Sequence, residues 1–432
     1  MKEDAFAALR IGTFRRYLSI RFSINMAFRM QELVTGFYLY HLTRNPMAIG
    51  MVGLVEVVPF LFFALYGGYI ADRTEKRKTL FMVFGTYLFT SAGIFLITQR
   101  YFPFSILPDR IVLLIYALVF LNGIASAFLN PAWFLIFKKS LPDSLLANAS
   151  SWNSANRQLA SILGPALGGL VYGFFGISWA LGFVLVLILL SIILNFFLDP
   201  HPPHQISEKP IQEELWKGLQ FVVNNPLILH ILILDLFAYF FGGAIALLPV
   251  FAQDILHVGA QGLGIMRSSV ALGSILSLMI LTRYSPLHKP WRNLMVSVFA
   301  FGLSVLGFAL SRDFYWTLGF LFLQGAFDSI GVVIKNTVLT TITPPEMGGR
   351  VSSVGSIFLA MTNEIGEFES GTAAKLMGTV PSVLFGGSMT LIAGTFYLLK
   401  NWKWIQFNLD QLMEENARGI SPNFIALARK SK

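Results

Sequence analysis

Apolar runs of about twenty residues, parted by short polar breaks, repeat along the whole chain, and each has the length a helix needs to cross a bilayer. Divided at the breaks they number twelve: 17–41, 46–71, 79–99, 110–137, 145–173, 177–198, 226–251, 260–282, 290–310, 314–337, 350–378 and 381–400. The pattern predicts an all-α membrane protein. The fifth and eleventh runs are long and rich in small residues, which suits tilted helices packed closely inside a bundle.

One break differs from the others. Asp199-Pro200-His201-Pro202-Pro203-His204 interrupts the apolar pattern, and an amphipathic stretch over 211–223 follows it. The predicted organisation is therefore a cytoplasmic segment (1–16), a six-helix bundle (17–198), a linker with a short amphipathic helix (199–225), a second six-helix bundle (226–400) and a cytoplasmic tail (401–432). The halves echo each other. Pro142, Leu145, Ala147, Asn148, Gly164 and Gly169 stand opposite Pro344, Met347, Gly349, Arg350, Gly366 and Gly371 at a constant offset of 202 residues. Six-plus-six repetition belongs to alternating-access transporters. Twelve transmembrane helices in two pseudo-symmetric bundles around a central cavity are expected.

Composition agrees with a chain in lipid: 55% of residues are hydrophobic and 13% charged, against roughly a quarter charged in a soluble domain. The net charge of +9 belongs to the membrane surface and not to nucleic-acid binding, because 22 of the 32 Lys and Arg residues fall on one side if the N-terminus is cytoplasmic. Four (Arg44, Arg100, Arg110 and Arg312) fall on the other, so both termini are expected inside. The first apolar run follows a mixed-charge, Arg-bearing segment without a small-residue cleavage site, so it is expected to remain as a span. The first fifteen residues suit a helix lying on the anionic inner leaflet.

With no cysteine, there is no thiolate metal site or thiol nucleophile. Neither a phosphate-binding Gly-x-x-x-x-Gly-Lys loop nor a His-Glu-x-x-His zinc pair occurs, and His201 with His204 lacks further ligands. No cofactor, no metal and no enzymatic activity are expected.

Two motifs carry a family resemblance. Gly68-Tyr69-Ile70-Ala71-Asp72-Arg73-Thr74-Glu75-Lys76-Arg77-Lys78-Thr79-Leu80, between the second and third runs, resembles the loop motif of the major facilitator superfamily, with Glu75 where many members have Gly. Gly164-Pro165-Ala166-Leu167-Gly168-Gly169 resembles the antiporter motif of drug and proton exchangers, with Ala160 replacing its leading Gly. Small residues there let helices approach, and Pro165 removes a backbone donor and bends the span. More narrowly, Pro142-Asp143-Ser144-Leu145-Leu146-Ala147-Asn148-Ala149 and Asn363-Glu364-Ile365-Gly366-Glu367-Phe368-Glu369-Ser370-Gly371 look like the enterobactin (siderophore) exporter branch.

That resemblance implies proton-driven efflux of a siderophore or similar amphipathic small molecule across a bacterial cytoplasmic (inner) membrane. The alternatives are a multidrug or macrolide-type efflux pump and a receptor or scaffold that moves nothing. The Arg that many drug-proton antiporters carry in span four is absent from Phe120-Leu121-Asn122-Gly123-Ile124-Ala125. The implied partners are a small-molecule substrate, protons and membrane lipids, and the working unit is taken as a monomer.

Charges within the spans mark where such chemistry would sit, since each costs about 3 kcal/mol at the bilayer centre unless it faces a cavity or a partner. Seven acids (Glu32, Glu56, Asp235, Asp328, Glu364, Glu367 and Glu369) meet six bases (Arg21, Arg29, Arg157, Arg267, Lys335 and Lys375). Arg21, Asn25, Arg29 and Glu32 form one stripe at helical spacing, where Arg29 and Glu32 are either a fastening ion pair or part of the pathway. Glu364 and Glu367, one turn apart, repel when both are ionised. The proton-coupling candidates are Glu32, Glu56, Asp235, Glu364 and Glu367. Arg29, Arg157 and Arg267 suit an anionic substrate, and Trp133 and Trp152 are candidates for an aromatic cavity lining. Gly68, Asp72 and Arg73 are expected to gate the inner end, and Gly164, Pro165, Gly168 and Gly169 to pack helices.

Overall fold

The computed structural model describes residues 6–99, 108–142, 145–199, 211–241, 245–284, 286, 288–343 and 347–406. These residues are almost wholly helical. The order is α1 (Gly12–Thr43), α2 (Pro46–Arg73), α3 (Lys76–Thr98), α4 (Pro108–Lys139), α5 (Leu146–Phe175), α6 (Ile177–Phe196), α7 (Ile211–Asn224), α8 (Pro226–Phe241), α9 (Leu248–Val250), α10 (Gly259–Arg283), α11 (Pro290–Leu310), α12 (Phe314–Ile342), α13 (Gly348–Met377) and α14 (Thr379–Lys400). No strand occurs among the described residues.

Nine of these helices are long and apolar enough to cross a membrane, among the described residues. The other three predicted spans correspond to α1, α8 and α13, each for a physical reason. Helices α1 and α13 are long but charged, carrying Arg21, Arg29 and Glu32 in one and Glu364, Glu367, Glu369 and Lys375 in the other. Helix α8 has 16 residues, about 24 Å at 1.5 Å per residue, short of a 30 Å hydrocarbon core. Lipid-facing surface is plain on the others: Phe62, Met82 and Trp179 are 74%, 70% and 70% exposed on apolar helices.

Three expectations are corrected. The seventh run is not one continuous helix over 226–251: α8 ends at Phe241, and a short α9 leads into a π-helical turn over Phe251–Ile255. The charged connection between the second and third runs is shorter than its sequence suggests, since α2 continues to Arg73 and α3 starts at Lys76. Residues 1–5 lie outside the described residues, and among 6–11, before α1, the N-terminal segment forms a 3-10 turn over Ala8–Arg10. It docks on α5 instead of forming a surface helix: Ala8 is fully buried, its N–H donates to Asn148 Oδ1 at 3.2 Å, and the Phe6 ring lies 5.6 Å from Trp152. The amphipathic stretch does form a helix, α7, which meets α8 at 98°.

The chain divides into two compact units. The first comprises residues 1–208 with 252–268, so the start of α10 clusters with it and not with the second half of the sequence; the second comprises 209–251 with 269–432. In the first unit Trp133 is the centre of an aromatic core, 5.3 Å and edge-on to Tyr17 and 6.2 Å from Phe84. In the second, Trp291 packs edge-on to Trp404 at 5.3 Å.

The 202-residue repeat reappears as local geometry. Helices α5 and α13 both end at a glycine in the left-handed region, Gly176 at φ 91° and Gly378 at φ 93°. Their N–H groups donate to Tyr172 O at 2.9 Å and Ala374 O at 3.0 Å, two carbonyls also 202 residues apart. A Cβ is disfavoured at such φ values, so glycine closes both helices. Gly123 of α4 and Gly325 of α12 likewise share one role: a Cβ on the first would stand 2.2 Å from Glu56 O of α2, and on the second 2.1 Å from Val270 O of α10. Each unit uses a missing side chain to bring two helix backbones together.

Candidate functional site: charged clusters inside each unit

In the first unit, the α1 stripe separates into two arrangements. Arg29 Nη1 lies 2.7 Å from Glu32 Oε2, an i,i+3 pair whose side chains are 35% and 22% exposed. Arg21 turns the other way. Its Nη1 donates to Tyr17 Oη at 2.5 Å and to Asn153 Oδ1 of α5 at 2.8 Å, and Tyr17 Oη donates to the same Asn153 oxygen at 3.1 Å. The Arg21 guanidinium carbon is 5.9 Å from the ring centres of both Tyr17 and Trp133, within cation–π range. Arg157 follows Asn153 by one turn of α5, on the same face.

Helix α5 meets α1 closely because it lacks side chains there. A Cβ on Gly164 would stand 2.9 Å from Arg29 Cβ, and one on Gly168 2.9 Å from Met30 Cγ. Gly169 faces Gly264 of α10, where an added Cβ would meet Gly264 Cα at 2.6 Å. Pro165 lies inside α5 between these contacts.

A second polar cluster of this unit was not anticipated. Arg44 Nη1 and Asp254 Oδ1 are 2.9 Å apart, the Tyr40 hydroxyl donates to Asp254, and His41 is 2.8 Å from the Gln253 side chain. Arg44 itself caps α1 at φ 52°. The available signal was slight: one Arg in an outer loop and one acid at the end of the seventh run.

The second unit contains its own ion pair. Lys335 Nζ of α12 lies 2.5 Å from Asp235 Oδ2 of α8, with side chains only 8% and 19% exposed. The pair adjoins a cavity lined by Asp235, Ser297, Phe301, Asp328 and Gly331. Asp328 and Lys335 are two turns apart on α12, and the side chain that meets Lys335 comes from another helix. Lys335 follows Trp133 by the repeat offset of 202, so equivalent positions of α4 and α12 carry the aromatic floor beneath Arg21 and the cation opposite Asp235.

The remaining candidates are placed as follows. Glu56 lies on α2 near Tyr87, and Glu364 and Glu367 are half-buried on α13. These three acids, Arg267 on α10 and Lys375 on α13 are all engaged by neighbours. Glu369 accepts a long hydrogen bond from Ser370 at 3.5 Å. Trp133 is 2% exposed, and Trp152 packs on Phe6. Gly68, Asp72 and Arg73 form the last turns of α2, and their side chains lie outside the described residues. No cluster of His, Asp and Glu able to hold a metal occurs among the described residues.

Helices long and apolar enough to cross a membrane, nine of them among the described residues, make this a polytopic membrane protein. The Major Facilitator Superfamily model matches residues 18–366, and the chain belongs to that superfamily of membrane transporters. It is a transporter and not an enzyme. Among curated relatives it is similar to the enterobactin exporter EntS of Escherichia coli O1:K1 / APEC and of Citrobacter koseri, 23% identical over 390 residues, 89% of this chain and 91% of each relative. Among solved structures it resembles a bacterial homolog of the human lysosomal transporter Spinster, inward-facing and unoccupied (TM-score 0.67, 15% identity, 92% of this chain and 98% of that one). It also resembles a POT family transporter in complex with 5-aminolevulinic acid (TM-score 0.68, 13% identity, 90% and 96%). At these identities the structures speak to the fold alone.

Proposed function

We propose that this chain is a proton-coupled exporter, working by alternating access, that moves a siderophore-like amphipathic anion out of the bacterial cytoplasm through the inner membrane. Similarity to enterobactin exporters along nine-tenths of the chain supports the direction and the substrate class. The observation that carries the coupling is the Asp235–Lys335 pair. Two charges in an interior of low polarity attract strongly, yet each has lost its hydration, so the pair is held only while both are ionised. A proton on Asp235 removes the attraction that ties α8 to α12. Asp328 lines the same cavity as Asp235, so the pair adjoins a second carboxylate at the cavity wall. Asp235 has a nearly buried basic partner on another helix, so its protonation state bears on how α8 is tied to α12. Glu32, by contrast, is paired within its own helix, an arrangement that fastens no second helix.

The test is transport by the purified protein in liposomes with an imposed pH gradient. Uptake of a catecholate that rises with the gradient in wild type, and loses that dependence in Asp235→Asn, is expected. Transport indifferent to the gradient would overturn the coupling. Competition by a hydrophobic cationic dye and not by other catecholates would replace the siderophore reading with multidrug efflux.

A further inference from the structure

We propose that Arg21, Arg157 and Asn153 form an oxyanion-binding site on the first unit, built to take a carboxylate or catecholate in the two-pronged manner of guanidinium recognition. The proposal rests on the export reading and deepens it by naming the side chains that meet the substrate's negative end.

Four observations converge on it. First, among the described residues neither Arg21 nor Arg157 has a carboxylate partner: the acid nearest along α1, Glu32, is held by Arg29. An arginine retained within a span for structure alone finds an acid, because the charge is costly there. Second, Arg21 is fixed on one side only. Its Nη1 is occupied by Tyr17 and Asn153, while its Nε is buried with no acceptor among the described residues. The Nε–Nη2 edge is the one that presents two parallel N–H groups to a pair of oxygens. Third, the plane is set in advance. Tyr17 and Trp133 lie together on one side of the guanidinium at 5.9 Å, and Tyr17 and Arg21 converge on one oxygen of Asn153, so the side chain is already held before a ligand arrives. Fourth, Arg157 stands one turn beyond Asn153 and close enough to Arg21 for the two charges to repel. Part of its side chain is open to the surroundings while the guanidinium itself is largely enclosed by protein, and an enclosed charge within a span is costly unless a partner or a ligand meets it. An anion between the two arginines relieves that repulsion, and a small shift of the Arg21 side chain on binding brings the buried Nε to the acceptor it lacks.

The same chemistry describes a free organic anion and a phospholipid phosphodiester. The experiment therefore measures equilibrium binding of 2,3-dihydroxybenzoate, with neutral catechol for comparison, to full-length protein in nanodiscs of phosphatidylcholine. Saturable binding to wild type is expected, weakened roughly tenfold or more by Arg21→Gln or Arg157→Gln, as befits loss of charge-assisted hydrogen bonds. Arg21→Lys keeps the charge but not the fork and is expected to fall between; it also supplies the readout if a glutamine variant fails to fold. Catechol binding should be insensitive to all three. Unchanged affinity in the variants, or no saturable binding to wild type, overturns the proposal. Repeating the titration with phosphatidylglycerol separates the sources: loss of benzoate affinity in step with the anionic lipid would assign the site to a headgroup and overturn the substrate role. No gradient is involved, so a failure of proton coupling leaves this result standing.

Discussion

Two ion pairs of similar geometry differ sharply in what they contribute. Arg44 and Asp254 are 56% and 42% exposed, so solvent screens them and their pairing contributes about 0–1 kcal/mol. Asp235 and Lys335 are nearly buried, and removing one partner strands the other at about 3–5 kcal/mol. Lys335→Met is therefore expected to lower the melting temperature in detergent far more than Asp254→Asn. The double variant Asp235→Asn with Lys335→Met should recover most of the loss, because no charge is then left unpaired. Equal effects of Lys335→Met and Asp254→Asn would show that the second-unit pair is hydrated and not buried.

Among the elements, α5 carries a run of close helix contacts in the first unit, and its glycines differ from glycines elsewhere by what surrounds them. At Gly168 a Cβ would stand 3.3 Å from the Met30 backbone as well as 2.9 Å from its side chain, so rotamer adjustment in Met30 cannot make enough room. Gly168→Leu is expected to reduce the yield of monodisperse protein and to cost at least the 1–3 kcal/mol typical of overpacking. Gly85 of α3 has nothing within 4 Å, and Gly85→Ala should be neutral or stabilising by about 0.5–1 kcal/mol through the helix backbone. If both variants express and melt alike, close approach of α5 to α1 is not what those glycines provide.

For the whole molecule, the apolar runs and the 202-residue echo made the helix order and the repeat legible, whereas the matching helix stops at Gly176 and Gly378 emerged only from the backbone. The errors fell where a residue has two physical meanings. The charges Asp72 and Arg73, beyond the second run, read as a loop, yet a helix keeps its own hydrogen bonds past its apolar stretch and α2 runs on to Arg73. Pro249, in the first turn of the short α9, was the signal that the seventh run is interrupted, and the run's unbroken hydropathy masked it. The charged residues themselves were visible; their partners were not. Asp235 and Lys335 lie 100 residues apart and Arg21 and Asn153 lie 132 apart, separations that no helical period encodes.

In the proposed mechanism a proton on Asp235 is exchanged against substrate. Proton release on adding a catecholate to purified protein in weakly buffered detergent, followed with a pH-sensitive dye, tests it directly. Wild type should release protons in a saturable manner, Asp235→Asn should release none, and Glu364→Gln and Glu367→Gln should behave as wild type. Undiminished release from Asp235→Asn, or loss confined to either α13 variant, would contradict the account and move the coupling site to α13.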